Sequence, residues 1–248
     1  MIATIKIRSK VFKVDLSKPL DISISLQGDG NGIKAWYLNS PRIYPYEEDN
    51  FVGSVTAGAS TNFNSIHFNP HAHVTHTECV GHISKELHSI NTLLESYFFL
   101  AELITVAPEK HNEDFVISKK QLQYALGAKK RDAVVIRTLP NTNDKLSRDY
   151  SHSNPPYLLE EAALFLKEKG IHHLLVDLPS VDKEKDQGCL LAHKAFWNFE
   201  GEIRFNATIT EFIYADNSIE DGTYLLDLHV APVENDASPS RPVLYKIM

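Results

Sequence analysis

Between residues 133 and 178 two strand-like strings flank one helical string, and this order restricts the fold more than any other feature. Ala133–Thr138 is rich in valine and isoleucine, Leu158–Lys169 carries apolar residues at helical spacing and ends at Gly170, and His172–Leu178 is again strand-like. A strand, a helix and a second strand in one sheet form a crossover that makes the two strands parallel, almost always with a right-handed turn. The chain is therefore expected to build an α/β fold around a sheet that is at least partly parallel.

The remaining pattern fills in a mixed sheet. Ile2–Arg8 and Lys10–Leu16 alternate like two strands of a hairpin, and Leu20–Leu26, Asn50–Ala57, Ala207–Tyr214, Gly222–Val230 and Val243–Ile247 are read as further strands. Tyr97–Ala107 is expected to be a buried strand. Ser118–Leu126 is a short helix with Ser118 as its N-cap and Gly127 at its end. Trp36–Tyr46, Asn141–Tyr157 and Asn235–Pro242 are expected as loops, the last of them mobile. No internal repeat or linker interrupts the pattern, so residues 1–248 are expected to form one α/β domain with a mixed β-sheet and a few flanking helices.

Charge and composition exclude several classes. With 25 basic against 32 acidic residues the formal charge is −7, and no basic stripe for nucleic acid is present. The apolar-rich stretch Tyr97–Leu103 is far shorter than the roughly 20 residues of a membrane-spanning helix, and Met1–Leu16 alternates where a signal peptide would be continuously apolar. Two cysteines, Cys79 and Cys189, make neither a disulfide framework nor a four-cysteine zinc site. A cytoplasmic protein acting on a small molecule is expected, with no membrane and no nucleic-acid partner.

Histidine is the anomaly: there are 12, and six fall between His67 and His88. In the string Asn69-Pro-His-Ala-His-Val-Thr-His-Thr-Glu-Cys-Val-Gly-His82, an extended chain turns His76 and Glu78 to one face, together with Ala72 and Val74. His82 follows Gly81, where the chain can turn back to the same place. His71 and His73 have the opposite parity, and either joins His76 only if the strand bulges near Pro70. Imidazole mixed with carboxylate suits a divalent metal, zinc, manganese or iron(II), and such an ion turns water into a nucleophile near neutral pH. Cys79, of opposite parity to Glu78, is read as packing. Farther along, His193 alone would be a hydrogen-bonded core histidine, Glu211 a charge ending a strand, Trp36 and Trp197 ordinary packing, and Asp177 and Asp182 residues that cap or orient neighbours. Ser180 lacks the context of a nucleophile elbow.

The string Thr75-His76-Thr-Glu78-Cys-Val-Gly-His82 resembles the His-x-Gly-Thr-His-x-Asp-x-Pro-x-His motif of the cyclase-like metal-dependent hydrolases, the family of bacterial kynurenine formamidases and isatin hydrolases. Thr75, His76, Glu78 and His82 match in spacing, whereas Val74, Glu78 and Val80 replace glycine, aspartate and proline, and Ala72 stands where the first histidine belongs. A one-residue insertion admits His71 to that role and a deletion admits His73; a bulge after Pro70-His71 is easy to build and favours His71. Asp15-Leu-Ser17, Asp21-Ile-Ser23, Val176–Asp182, Thr210-Glu211-Phe with Asn217, and Ser238–Leu244 are similar to further family segments in the right order. The resemblance implies a swivelling β/β/α fold and two divalent ions, zinc or manganese. His71 (or His73), His76 and Glu78 would hold one ion, Glu78, His193 and Glu211 the second, and His82 would donate and accept the proton, although spacing alone equally allows it as a ligand. It also implies a tryptophan at the substrate, here Trp36, and a homodimer or homotetramer. The expected activity is metal-dependent hydrolysis of an amide, formamide, lactam or ester-type bond in a small, aromatic substrate.

Two other readings compete. His71-x-His73-x4-Glu78 has the ligand spacing of the first cupin motif, with His193 and Asn198 resembling the second, which would give a jelly roll holding one ion and a dioxygenase activity. A non-catalytic metal-binding or ligand-binding protein on the cyclase fold is the other.

Overall fold

The computed structural model describes residues 1–248. Its centre is a nine-stranded mixed sheet. The strands, numbered in chain order, are β1 (Leu20–Asp21), β2 (His76–Glu78), β3 (Phe98–Val106), β4 (Ala133–Thr138), β5 (His173–Val176), β6 (Thr208–Glu211), β7 (Gly222–Asp227), β8 (Ala237–Pro239) and β9 (Val243–Lys246). In space they run β8-β2-β6-β5-β4-β3-β7-β9-β1. Strands β3 to β6 are parallel neighbours, and antiparallel strands extend the sheet on both sides. This is the mixed α/β sheet that the strand–helix–strand order implies, and it rules out the cupin jelly roll, which has no parallel core.

Five short helices accompany it: α1 (Pro70–His73), α2 (Ile90–Leu93), α3 (Lys119–Leu126), α4 (Glu160–Glu168) and α5 (Leu191–Trp197). The last three lie in the connections between successive parallel strands, where a crossover needs them. Helix α3 starts as expected after Ser118, whose backbone N–H is accepted by Gln121 Oε1 at 3.1 Å. Helix α4 begins later than Leu158 because Tyr157–Leu158 is drawn into a parallel pair with Val116–Ile117.

The apolar runs sort by strand parity. Val134 and Ile136 join the core under the three helices, with Leu122, Leu166, Phe196 and Trp197. Ala133 and Val135 face the opposite core, with Leu103, Leu226 and Leu244. A strand buried on both faces shows a continuous apolar run instead of an alternating one.

Four expectations change. Only Leu20–Asp21 of the Leu20–Leu26 segment enters the sheet, because the Asp21 carboxylate accepts from both the backbone N–H and the hydroxyl of Ser23, a local turn that competes with the ladder. Trp36–Tyr46 is not wholly irregular: Arg42–Pro45 pairs with Asn64–His67. Within Asn50–Ala57 only Phe51–Val52 is a strand, paired with Glu47–Glu48, and Val55–Ala57 is a 3-10 turn. These paired segments form an arm that leaves Ile43, Tyr44, Phe51, Val52, Phe63 and Ile66 exposed. Asn235–Pro242 is not a mobile loop, since β8 pairs with β2. No helix is long and apolar enough to cross a membrane.

Candidate metal centre

The histidine segment is not one extended strand. Asn69 caps a single helical turn, its Oδ1 accepting the His71 N–H at 2.9 Å, and Pro70 supplies a first helical residue that needs no N–H partner. A helical turn rotates successive side chains by about 100° instead of about 180°. It thereby does what the expected bulge was to do: His71 comes round to the side of Glu78, while His73 is carried off. His73 instead accepts the Asn69 N–H through Nδ1 at 2.9 Å and belongs to no cluster of potential metal donors. Of the two alternatives for the first histidine, the geometry brings His71 into the cluster and leaves His73 outside it.

Strand β2 then places His76 and Glu78. It is buried between β6 and β8, with His76 opposite Glu211 and Glu78 opposite Ile209 and Ala237. Thr77, pointing to the other face, exchanges a hydroxyl hydrogen bond with Thr210 at 2.8 Å. Val80–His82 is a 3-10 turn that returns His82 to the same place. Gly81 is needed there for clearance, since a Cβ would lie 2.3 Å from the His88 carbonyl oxygen.

These side chains converge with four from later in the chain, Asp182, His193, Glu211 and Asp236. His71 Nδ1 is 3.2 Å and His82 Nδ1 3.8 Å from Glu78 Oε2, and His193 Nε2 is 3.1 Å from Glu78 Oε1. Glu211 bridges across the strand pair, with Oε2 at 3.4 Å from His76 Nε2 and Oε1 at 3.9 Å from His193 Nε2. Asp182 accepts from His193 Nδ1 at 2.6 Å and from the backbone N–H groups of Ala192 and His193. Asp236 lies 2.8 Å from His71 Nε2 and 3.3 Å from His82 Nδ1. The rings of His71 and His82 stack at 4.3 Å.

The electrostatics describe a cluster short of positive charge. Burial would strongly lower the pKa of His71, but its hydrogen bond to Asp236 and the nearby Glu78 carboxylate outweigh that and raise it to about 10. His193 behaves alike: burial opposes the charge, yet Asp182 and Glu78 raise it to about 10. Burial pushes the carboxyls of Glu78 and Asp236 up, and their histidine neighbours pull both well below the usual range. So many buried carboxylates need cations, and without another source the imidazoles supply them as held protons.

The donor set fits a divalent metal. His76 Nε2 and Glu78 Oε2 are fully buried and have no hydrogen-bond partner, although both face the cluster. His76 Nδ1 donates to the Val74 carbonyl at 3.1 Å, which leaves Nε2 as the bare lone pair. Buried polar atoms are nearly always satisfied, and a lone pair and a carboxylate oxygen aimed at the same space match a cation that accepts both. Single donor atoms of His71, His76 and Glu78 lie within 4.8 Å of one another, as do those of Glu78, His82 and His193, and those of His71, His82 and Asp236.

The cluster opens into a cavity of about 340 Å³ walled by Trp36, His71, His82, Ser180, His193 and Glu211, among others. Trp36 and Tyr37 both adopt left-handed backbone angles, with φ of 60° and 61°, which is costly for aromatic residues. The turn is pinned because Trp36 Nε1 donates to the His71 carbonyl at 2.9 Å. Trp36 thus reaches the site wall and braces the turn that carries His71.

Sequence reasoning missed Asp236. Its only local signal is an acidic residue heading the string Ala-Ser-Pro, too short to show a strand period. It also missed α5, whose seven residues carry His193. Asp182 was read correctly as a residue that orients a neighbour, though not which one.

The family model described as “Putative cyclase” matches residues 14–183. The chain belongs to the cyclase family. It is 28% identical over 234 residues to a kynurenine formamidase of Bacillus cytotoxicus, covering 93% of this chain and 96% of that one. A kynurenine formamidase of Bacillus thuringiensis is 29% identical over 237 residues, with 94% and 97% covered. Among solved structures, isatin hydrolase A from Labrenzia aggregata aligns with a TM-score of 0.68 at 14% identity over 93% of this chain and 94% of that one. A structure described as a potential metal-dependent hydrolase with cyclase activity aligns with a TM-score of 0.65 at 17% identity, over 92% and 97%. These two share the fold with this cyclase-family chain. Its membership and its formamidase relatives make it a hydrolase.

Proposed function

We propose that this cyclase-family hydrolase cleaves the C–N bond of a small aromatic formamide or a related cyclic amide, with two divalent ions, zinc or manganese, held by His71, His76, Glu78, His193 and Glu211. The observation that carries this is the pair of buried, partnerless donor atoms, His76 Nε2 and Glu78 Oε2, facing one cluster. Full-length similarity to kynurenine formamidases supports the formamide class, and a cavity of about 340 Å³ walled by Trp36 suits a single aromatic ring.

Bound divalent ions supply Lewis acidity, which polarises a carbonyl and makes a nucleophile of water at neutral pH. The chain's own residues do the rest. Glu78 faces both halves of the cluster, with Oε2 toward His71 and Oε1 toward His193, and so can be shared between them. His82 lines the cavity and is held at Nδ1 by Asp236, which suits it to carry a proton to the departing nitrogen. Trp36 walls the cavity and excludes water from one side. The exposed apolar arm around Ile43, Phe51 and Ile66 supports a homo-oligomer, dimer or tetramer, and the absence of a membrane-spanning helix fits a cytoplasmic location.

The test is elemental analysis of the purified protein followed by turnover of N-formyl anilines and isatin-like lactams. Stoichiometric zinc or manganese is expected, with formanilide turnover that is lost on chelation and in Glu78→Ala. A protein loaded with metal that turns over neither class would refute the substrate assignment, and one that binds no metal would refute the whole reading.

A further inference from the structure

We propose that Asp236 is a positioning residue that sets the ring orientation and tautomer of both His71 and His82. This deepens the metal-hydrolase reading above and rests on it. One oxygen, Oδ2, takes both contacts, at 2.8 Å from His71 Nε2 and 3.3 Å from His82 Nδ1. A carboxylate accepts only, so the proton on each bond belongs to the imidazole. With Nε2 of His71 donating to Asp236, it is Nδ1, 3.2 Å from Glu78, that gives up its proton and turns a lone pair to a cation when one enters the cluster. With Nδ1 of His82 protonated toward Asp236, its Nε2 is the nitrogen left to exchange a proton. One carboxylate thus assigns opposite tautomers to two stacked rings, making one a donor to a cation and the other an acid–base group.

The backbone fixes where that carboxylate sits. The Asp236 carbonyl accepts the Cys79 N–H at 3.0 Å, and the next residue, Ala237, begins β8 directly opposite Glu78. Asn235 is held in turn, its carbonyl accepting the Ile90 N–H at 2.9 Å. Asp236 is therefore built onto the same rigid strand pair as Glu78, at the one place from which it reaches both histidines.

Asp236→Asn keeps the size and the backbone bonds but can present an amide N–H₂ to either ring, so it no longer dictates the tautomer. Zinc affinity is measured by competition with a chromophoric chelator on the full chain, alongside kcat and KM at saturating zinc and the thermal midpoint before zinc is added. In Asp236→Asn we expect the zinc dissociation constant to rise by roughly 10- to 100-fold. Turnover should fall at saturating zinc with KM little changed, and the zinc-free midpoint records separately what the lost pairing with His71 costs the fold. Asp236→Glu, which keeps an acceptor-only group, should recover part of the zinc affinity. If wild type binds zinc and Asp236→Asn binds it equally well with the same kcat, the positioning role is wrong while the metal reading stands. If wild type binds no zinc, both fall together.

Discussion

Lys145→Met should be among the most damaging single substitutions away from the metal centre. Lys145 lies in the 3-10 turn Asn143–Leu146 and is only 3% exposed. Its ammonium donates to the Thr138 carbonyl at 2.7 Å, to Thr138 Oγ1 at 2.9 Å and to Asp177 Oδ2 at 2.7 Å. Asp177, fully buried, also accepts the N–H and hydroxyl of Thr138. The pair joins the end of β4 to the residue that follows β5, where the chain leaves the sheet for Asp182. Methionine keeps most of the stem and removes the charge, leaving a buried carboxylate unpaired, which costs about 3–5 kcal/mol. For a chain of this size that is a fall of about 6–20 °C in thermal midpoint. Urea unfolding at pH 7 measures it. Burial already pushes the Asp177 carboxyl above its usual range against the pull of Lys145, so in Lys145→Met it should protonate readily and the deficit should shrink as pH falls. Lys145→Met combined with Asp177→Leu should cost less than Lys145→Met alone, because the stranded charge is gone. A loss below about 1 kcal/mol for Lys145→Met, or a double variant as damaged as the sum of its parts, would refute the argument.

Three further outcomes are expected. His71→Asn should lose most divalent-metal binding, whereas His73→Asn, whose amide oxygen can still accept the Asn69 N–H, should keep it; equal retention in isothermal titration would contradict the helical-turn geometry. Asp182→Asn should weaken metal binding through His193, whose Nδ1 it fixes at 2.6 Å, and a dissociation constant unchanged from wild type would show that His193 needs no such support. His173 is held neutral, burial lowering its pKa to about 3. Since the unfolded chain takes up that proton at about pH 6.5, stability should drop by up to about 1.4 kcal/mol per pH unit as pH falls from there towards 3. His173→Gln should flatten this slope in acid unfolding, and an unchanged slope would mean the group is not the source.

How much of this was legible depends on range. The parallel core was written in Val134, Ile136 and their neighbours, because a strand buried on both faces must be apolar throughout. His76 and Glu78 were legible for the same local reason, since parity along three residues needs no tertiary context. The family motif brought His193 and Glu211 into the argument, which their own surroundings would not have done. The choice between His71 and His73 was not legible from alternation, because Asn69 and Pro70 convert the chain to a helical turn and the period changes with it. Asp236 was hidden for a different reason. Its role exists only through pairing between segments 165 residues apart, and β8 is three residues long.

The sheet that carries the site stops at both sides in a way that limits its growth. Beyond β2 lies only β8, three residues that include Pro239, and the far side closes with the two residues of β1. A row of free N–H and C=O groups is a template for another chain's strand, and these rims offer almost none, one position lacking an N–H altogether. Copies of this protein therefore have little means of joining sheet to sheet beside the metal donors. Contact at those rims would have to form through side chains, whereas the arm near Phe51 and Ile66 combines exposed apolar groups with the open edges of its two-stranded ribbons.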